Sequence, residues 1–180
     1  MKSDFPASDY PYMLHPRNTV LVTTLGKDKK PNIITIAWIT PISATPPLLG
    51  FAIRKSRHSF KLLEECAEFV VNVPEFGLGA ESTFCGRKSG KDFDKFKECK
   101  FTAEKSAKVA PPRIAECSAT IECKVQKTIE IGDHMFVVGE VLNASADPKK
   151  FEGHFKQEFR PLLHVKASTF TTTGGEEKKF

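Results

Sequence analysis

PNIITIAWITPISATPPLLGFAIRKSRHSF, residues Pro31 to Phe60, governs the reading of this 180-residue chain. Its first part, Asn32 to Trp38, sets large apolar residues (Ile34, Ile36, Trp38) between small or polar ones (Thr35, Ala37), the period-two pattern of a strand. In Thr40 to Pro47, prolines at 41, 46 and 47 fix φ and remove N–H donors, so this part reads as a loop and excludes helix. Leu48 to Ile53 is a second apolar strand, running directly into Arg54-Lys55-Ser56-Arg57-His58-Ser59. A helix beginning there would present unsatisfied N–H groups beside guanidinium, ammonium, hydroxyl and imidazole donors, a set suited to a phosphate dianion. A strand with small side chains beside a phosphate trap reads as a site for a flat phosphorylated cofactor. The competing reading of the same residues is a solvated basic helix start beside the thin face of a packed sheet.

Outward from that segment the chain alternates short apolar runs with polar turns. Strands are expected at Thr19–Thr24, Asn32–Trp38, Leu48–Ile53, Phe69–Val73, Cys117–Thr128, His134–Ala144 and Leu162–Lys166. The polar turn Gly26-Lys27-Asp28-Lys29-Lys30-Pro31 joins the first two as a hairpin. Ser56 is expected to cap a helix reaching about Cys66, and a second short helix is expected over Leu78–Phe84. Antiparallel strands with few helices between them predict a mainly β fold, a small closed barrel with peripheral helices. Positions 1–170 read as a single domain and 171–180 as a flexible tail.

Composition narrows the function classes. Fifteen Phe and a 40% apolar fraction supply a core without disulfide staples. No run approaches the roughly 20 apolar residues of a membrane span, and MKSDFPASDYPYM lacks the order of a signal peptide, so a cytoplasmic protein without membrane partners is expected. The five cysteines are odd in number and form no C-x-x-C, which argues against a disulfide framework and against a metal site. The net charge of +5 does not imply nucleic acid: between Arg87 and Lys108 basic residues are interleaved with acidic ones, as on a solvated face. The excess fits phosphorylated ligands or acidic redox partners better. Gly77-Leu78-Gly79-Ala80-Glu81-Ser82 and Gly86-Arg87-Lys88-Ser89-Gly90-Lys91-Asp92 imitate a dinucleotide fingerprint and a P-loop. The first has Ser where the third glycine belongs; the second is one residue short and lacks the magnesium-binding hydroxyl.

Taken together, several segments resemble the flavin reductase-like family of FMN-binding split barrels, which includes flavoredoxins. The matching residues are Pro31, Asn32, Thr35, Ala37 and Trp38, then Pro46 and Pro47, then Arg54, Ser56 and Ser59. Further along, Glu68-Phe69-Val70-Val71-Asn72-Val73, Ser89-Gly90-Lys91-Asp92-Phe93-Asp94-Lys95-Phe96 and Gly132-Asp133-His134 with Phe136 to Val141 are similar to family motifs in the same order. The resemblance covers about His15 to Val165. It implies an antiparallel, Greek-key split barrel that binds FMN non-covalently and pairs as a homodimer.

The cofactor-binding residues implied are Asn32, Thr35, Ile36, Ala37, Trp38, Ile53, Arg54, Lys55, Ser56, His58, Ser59, Asn72, Cys85, Gly86 and Lys91. Arg54, Ser56 and Ser59 would hold the phosphate, and the main chain of Thr35 to Trp38 would edge the isoalloxazine. His134 is the candidate catalytic residue, on the side where NAD(P)H would approach. The function expected is an FMN redox protein passing electrons between a reduced donor (a small redox protein or NAD(P)H) and a partner. The alternatives are an NAD(P)H:flavin oxidoreductase and a non-redox FMN or haem binder.

Overall fold

Pro31 to Ser43 is one extended path with a corner in it, and that corner shapes the molecule. In the computed structural model, which describes residues 2–174, the chain forms α1 (Tyr10–Met13), β1 (Arg17–Asn18), β2 (Val20–Leu25), β3 (Pro31–Ile36), β4 (Ile39–Ser43) and β5 (Leu48–Ile53). It continues through α2 (His58–Glu65), β6 (Glu68–Val73), α3 (Gly79–Arg87), α4 (Lys95–Glu98), β7 (Ala103–Glu104) and β8 (Arg113–Ile114). The long strands β9 (Ala119–Ile131) and β10 (His134–Ala146) and the short pair β11 (Leu163–Lys166) and β12 (Thr169–Thr171) complete it. The main sheet has the order β3-β2-β6-β9-β10-β5-β4, and every neighbouring pair is antiparallel.

The two outer strands of that order, β3 and β4, are consecutive in the chain and separated only by Ala37 and Trp38. β3 pairs with β2 from Val20↔Ile36 to Leu25↔Pro31, whereas β4 pairs with β5 from Ile39↔Phe51 onward. The Trp38 carbonyl accepts the Ala52 N–H at 2.9 Å, carrying the second ladder up to the corner. The sheet is therefore rolled so that its two edges meet in one run of chain. The edges are joined through the chain and not by a ladder, so β3 and β4 each pair on one side only.

The barrel interior is filled by Val20, Val22, Ile34, Ile36, Phe51, Ile53, Phe69, Val71 and Val137. The Phe51 and Phe69 rings meet edge to face at 5.2 Å. Burial of each such side chain stabilises the fold by about 1.5–3 kcal/mol. A second cluster, Leu21, Ile33, Cys85, Phe96, Phe101 and Ile114, lies outside the barrel. β2 and β3 thus bury both faces, so Val20-Leu21-Val22 and Ile33-Ile34 are unbroken apolar runs.

Several expectations shift. The loop expected at Thr40 to Pro47 contains β4, and Pro41 pairs with Leu49. A proline is tolerated here because β4 is the last strand of the sheet, with no further ladder on its other side. Ser56 does not cap α2: Arg57 occupies that position, with extended backbone and no side-chain cap bond. The second helix runs to Arg87 rather than Phe84. The β9–β10 hairpin extends beyond Thr128 to a two-residue turn, where Gly132 takes the positive φ of 59° that such a turn demands. Of the tail expected at 171–180, Thr171 ends β12, and 175–180 lie outside the described residues. Among the described residues no helix is long and apolar enough to cross a membrane.

Candidate functional site

A cleft of about 450 Å³ opens at the Ala37–Trp38 corner. One wall is Ile34 to Trp38; Ala52, Ile53 and Arg54 follow from the end of β5, with Arg57 just before α2. Ser82, Thr83, Gly86 and Arg87 come from α3, His134 from the start of β10, and His164, Ala167 and Phe170 from the β11–β12 hairpin. A narrower compartment of about 120 Å³ shares Ile34, Arg57, Gly86 and Arg87 with the cleft. It adds Asn32, Ser56, His58, Ser59, Cys85, Lys88, Ser89, Gly90 and Lys95. The described lining residues of the two spaces include several cations and no Asp or Glu. Such a surface is built for an anion.

The compartment's most unusual member is Lys95. Its side chain is buried, and Nζ donates to the carbonyls of Ile33 at 2.6 Å and Cys85 at 2.7 Å. Burial lowers the lysine pKa to about 8. His58 is likewise held below its ordinary value, by burial first and then by the charges of Lys91 and Lys95. Asn32 donates from Nδ2 to Ser59 Oγ at 2.7 Å. Its own Oδ1, His58 Nδ1 and Ser82 Oγ are buried with no hydrogen-bond partner among the described residues. Unpartnered buried polar atoms are costly, and their gathering here marks a place where a polar ligand would satisfy them. The approach is close: a Cβ on Gly86 would press on Thr35 at 3.3 Å.

At the cleft's outer side, the rings of Trp38 and His134 stack with centroids 5.0 Å apart. His134 Nδ1 lies 2.6 Å from Asp133 Oδ1. That hydrogen bond, followed by the charges of His134 and Arg54, holds the Asp133 carboxyl below its usual range. Arg54 Nη2 reaches the other Asp133 oxygen at 3.4 Å. Thr35 turns its hydroxyl away from the barrel to donate to the Ser82 carbonyl at 2.5 Å, tying α3 to β3.

The residues expected from sequence divide cleanly. Thr35, Ile36, Ala37, Trp38, Ile53, Arg54, Gly86 and His134 meet in the cleft, and Asn32, Ser56, His58, Ser59, Cys85 and Gly86 in the compartment. Three stand apart. Asn72 is fully buried, donating to the Leu21 carbonyl and accepting the Ile114 N–H at 2.8 Å, so its amide is spent on main chain. Lys55 is exposed and pairs with Glu130 at 3.5 Å. Lys91 lines a neighbouring hollow with Asn32 and His58 instead of the cleft. Conversely, Arg57, Arg87, Lys95, Ser82, Thr83, His164 and Phe170 line the two spaces without having been singled out. Arg57 and Lys95 stood inside the quoted motifs, and only three-dimensional packing distinguishes them from their basic neighbours.

Comparison with known proteins agrees with this architecture. Residues 12–173 match the family described as Flavin reductase like domain. The chain belongs to that family. It is 37% identical over 164 residues to an uncharacterized protein of Archaeoglobus fulgidus, covering 91% of this chain and 92% of that protein. It is 34% identical over 134 residues to a flavin reductase (NADH) of Kitasatospora aureofaciens, covering 74% of this chain and 68% of that one. The structure of flavoredoxin from Methanosarcina acetivorans superimposes with a TM-score of 0.88 at 26% identity, covering 99% of this chain and 95% of that one.

The buried lysine gives this flavin reductase-like chain a distinctive pH response. Lys95 titrates near 8 in the fold and near 10.4 when unfolded. Between those values the unfolded chain binds more protons, so stability rises with pH from about 8. From about 8.5, where a free thiol titrates, the buried thiols oppose this, because burial pushes Cys85, Cys117 and Cys123 up and only the unfolded chain ionises them. Urea midpoints of the ligand-free wild type should gain on those of Lys95→Met between pH 8 and 9, the thiol contribution being common to both. Parallel pH dependences of the two proteins would show that burial does not hold Lys95 below its ordinary value.

Proposed function

We propose that this protein binds FMN non-covalently and passes electrons between a reduced donor and a redox partner. One observation carries the reading: a cleft with no carboxylate among its described lining residues, whose inner compartment gathers Arg57, Lys95, Ser56 and Ser59 next to a thin strand wall. Arg57 and Lys95 supply charge-assisted donors for the phosphate, with the first N–H groups of α2 beside them. Asn32 Oδ1 and Ser82 Oγ, both without hydrogen-bond partners among the described residues, suit the hydroxylated linker. β3 is paired on one side only, so alternate N–H and C=O groups on its other side are available to the edge of a planar ring. Ala37 keeps that wall thin. Bound FMN supplies hydride and single-electron chemistry, and the protein supplies orientation and electrostatics. The flavin reductase and flavoredoxin relatives support the cofactor class, and five free cysteines suit a reducing cytoplasm.

The phosphate grip moves from Arg54 to Arg57 in this reading. Both arginines are solvent-exposed, but Arg54 pairs with Asp133 and lines only the outer cleft, whereas Arg57 lines both spaces. Losing a charge-assisted hydrogen bond costs about 1.5–3 kcal/mol, or roughly tenfold to a hundredfold in Kd. Fluorescence titration should show Arg57→Ala weakening FMN by that factor while riboflavin binding stays unchanged. Arg54→Ala should have the smaller effect. Equal affinities of the wild-type protein for FMN and riboflavin would defeat the assignment.

A second reading, an NAD(P)H:flavin oxidoreductase, is favoured by one feature. Asp133 fixes Nδ1 of His134, leaving Nε2 as the ring nitrogen free for a ligand beside Trp38. His134 then orients the amide of a nicotinamide donor. In stopped-flow measurements NADH or NADPH should reduce the FMN-loaded protein in a saturable step, and His134→Ala should slow it at unchanged FMN affinity. If NAD(P)H reduces the protein only sluggishly while a small iron–sulfur donor does so quickly, the carrier reading stands instead.

The same proposal includes pairing with a second copy. Phe5, Tyr10, Tyr12, Met13 and Leu14 expose large apolar surfaces along one short N-terminal stretch, more than isolated surface residues would. Sedimentation velocity at micromolar concentration should give a species of twice the 20.0 kDa chain mass. A stable monomer would remove the pairing.

A further inference from the structure

We propose that Cys85 and Cys99 are a modification site: a dithiol that a hydroperoxide converts to an intramolecular disulfide, displacing Lys95 from the anion compartment. Their Sγ atoms lie 3.7 Å apart, and both cysteines are free. Cys85 is fully buried in the cluster outside the barrel, whereas Cys99 is only partly buried and closes α4 as its C-cap residue. The pair thus has one sulfur that a small oxidant can reach and one that can resolve.

The chemistry balances with hydrogen peroxide as the oxidant. Cys99 Sγ attacks one peroxide oxygen, the O–O bond breaks, and one water leaves a sulfenic acid behind. Cys85 Sγ then attacks that sulfur, the S–O bond breaks, and the hydroxyl departs with the Cys85 proton as a second water. Two thiols are oxidised by two electrons and one peroxide is reduced to two waters. Burial pushes both thiols up, so the first step is slow at neutral pH and the reduced pair is the resting state.

The mechanical consequence follows from what is fixed and what is not. A disulfide needs the sulfurs about 1.7 Å closer than they stand. The Cys85 side is locked: Thr35 bonds the Ser82 carbonyl at 2.5 Å, and Gly86 leaves no space against Thr35. The Cys99 side is a single helical turn followed by Lys100 at a positive φ of 54°. The adjustment therefore falls on α4. Lys95 begins that turn, and its carbonyl accepts the Cys99 N–H at 3.1 Å. Moving α4 pulls the Lys95 ammonium off the Ile33 and Cys85 carbonyls that hold it at the compartment. Oxidation should then weaken binding of a phosphate group there, a coupling that rests on the FMN reading above.

The test treats the reduced protein with hydrogen peroxide, blocks remaining thiols with N-ethylmaleimide and maps peptides by mass spectrometry. The expected result is a Cys85–Cys99 linked peptide and a fall in titratable thiols under denaturing conditions from five to three. Cys99→Ser should abolish the link, and Cys85→Ala should leave Cys99 trapped as a sulfenic acid that dimedone labels. FMN should bind the oxidised protein about tenfold more weakly than the reduced protein, and dithiothreitol should restore it. Five thiols surviving peroxide, or a link to Cys117 in place of Cys85, overturns the dithiol. A Cys85–Cys99 link with unchanged FMN affinity overturns the coupling. Failure of even the reduced protein to bind FMN defeats the cofactor reading, while the peptide map judges the disulfide by itself.

Discussion

One covalent constraint organises the molecule: the two edges of its main sheet are halves of the same extended run, joined through Ala37 and Trp38. β3 must leave β2 before β4 can engage β5, so the ladders cannot both be continuous at the corner. The hydrogen bond from Ala52 to the Trp38 carbonyl closes one side of the gap as far as geometry allows. What remains is a notch with main-chain groups on its wall and the ends of β5 and α3 around it. The cleft is therefore a by-product of barrel closure, and its wall is thin where Ala37 stands at the corner.

Electrostatics at the notch oppose folding in the ligand-free state. Taking a charge out of water costs several kcal/mol, which the two carbonyl acceptors of Lys95 only partly offset. Arg57, Arg87 and Lys88 line the same compartment without a carboxylate among its described lining residues. An anion that binds only the folded chain returns that stability through mass action, about 2.7 kcal/mol at a hundredfold excess over Kd. One neighbour benefits from Lys95 even without ligand: its ammonium bonds the Cys85 carbonyl near the C-terminal end of α3, where helix carbonyls lack partners.

Much of this was legible in sequence because the signal was local. Leu48–Ile53 falls at its expected bounds, and the EFVVNV strand and the β9–β10 hairpin carry apolar runs and a turn glycine that need no tertiary context. β4 was hidden by Pro41, whose missing N–H argues against a strand until the sheet order shows that only one ladder passes it. Asn72 could be read as a ligand contact or as a satisfied strand amide, and only packing decides between them. A polar residue in an apolar strand suggests a ligand contact, but here it satisfies main-chain groups of two other segments, a role set by long-range packing. Lys95 was passed over because lysines are rarely buried. The run from Arg54 to Ser59 was legible as basic, yet which of its side chains line the compartment is set by where α2 starts, one residue later than its serine suggested.

The site also divides labour between rigid and compliant structure. The strand wall of the cleft belongs to β3, whose side chains are buried on both faces and which Thr35 ties to α3. Much of the cationic equipment belongs to the start of α2, the residues after α3 and the single turn of α4, where fewer ladder bonds resist movement. Local stability tracks such contacts, so the exposed residues of these segments, Ser56, Arg57 and Lys88 among them, shift at the lowest cost. The charge around the compartment can then change at Arg57 or Lys95 while the barrel stays fixed. A fold whose closure creates the notch and whose periphery supplies the charge can vary binding strength and reactivity separately.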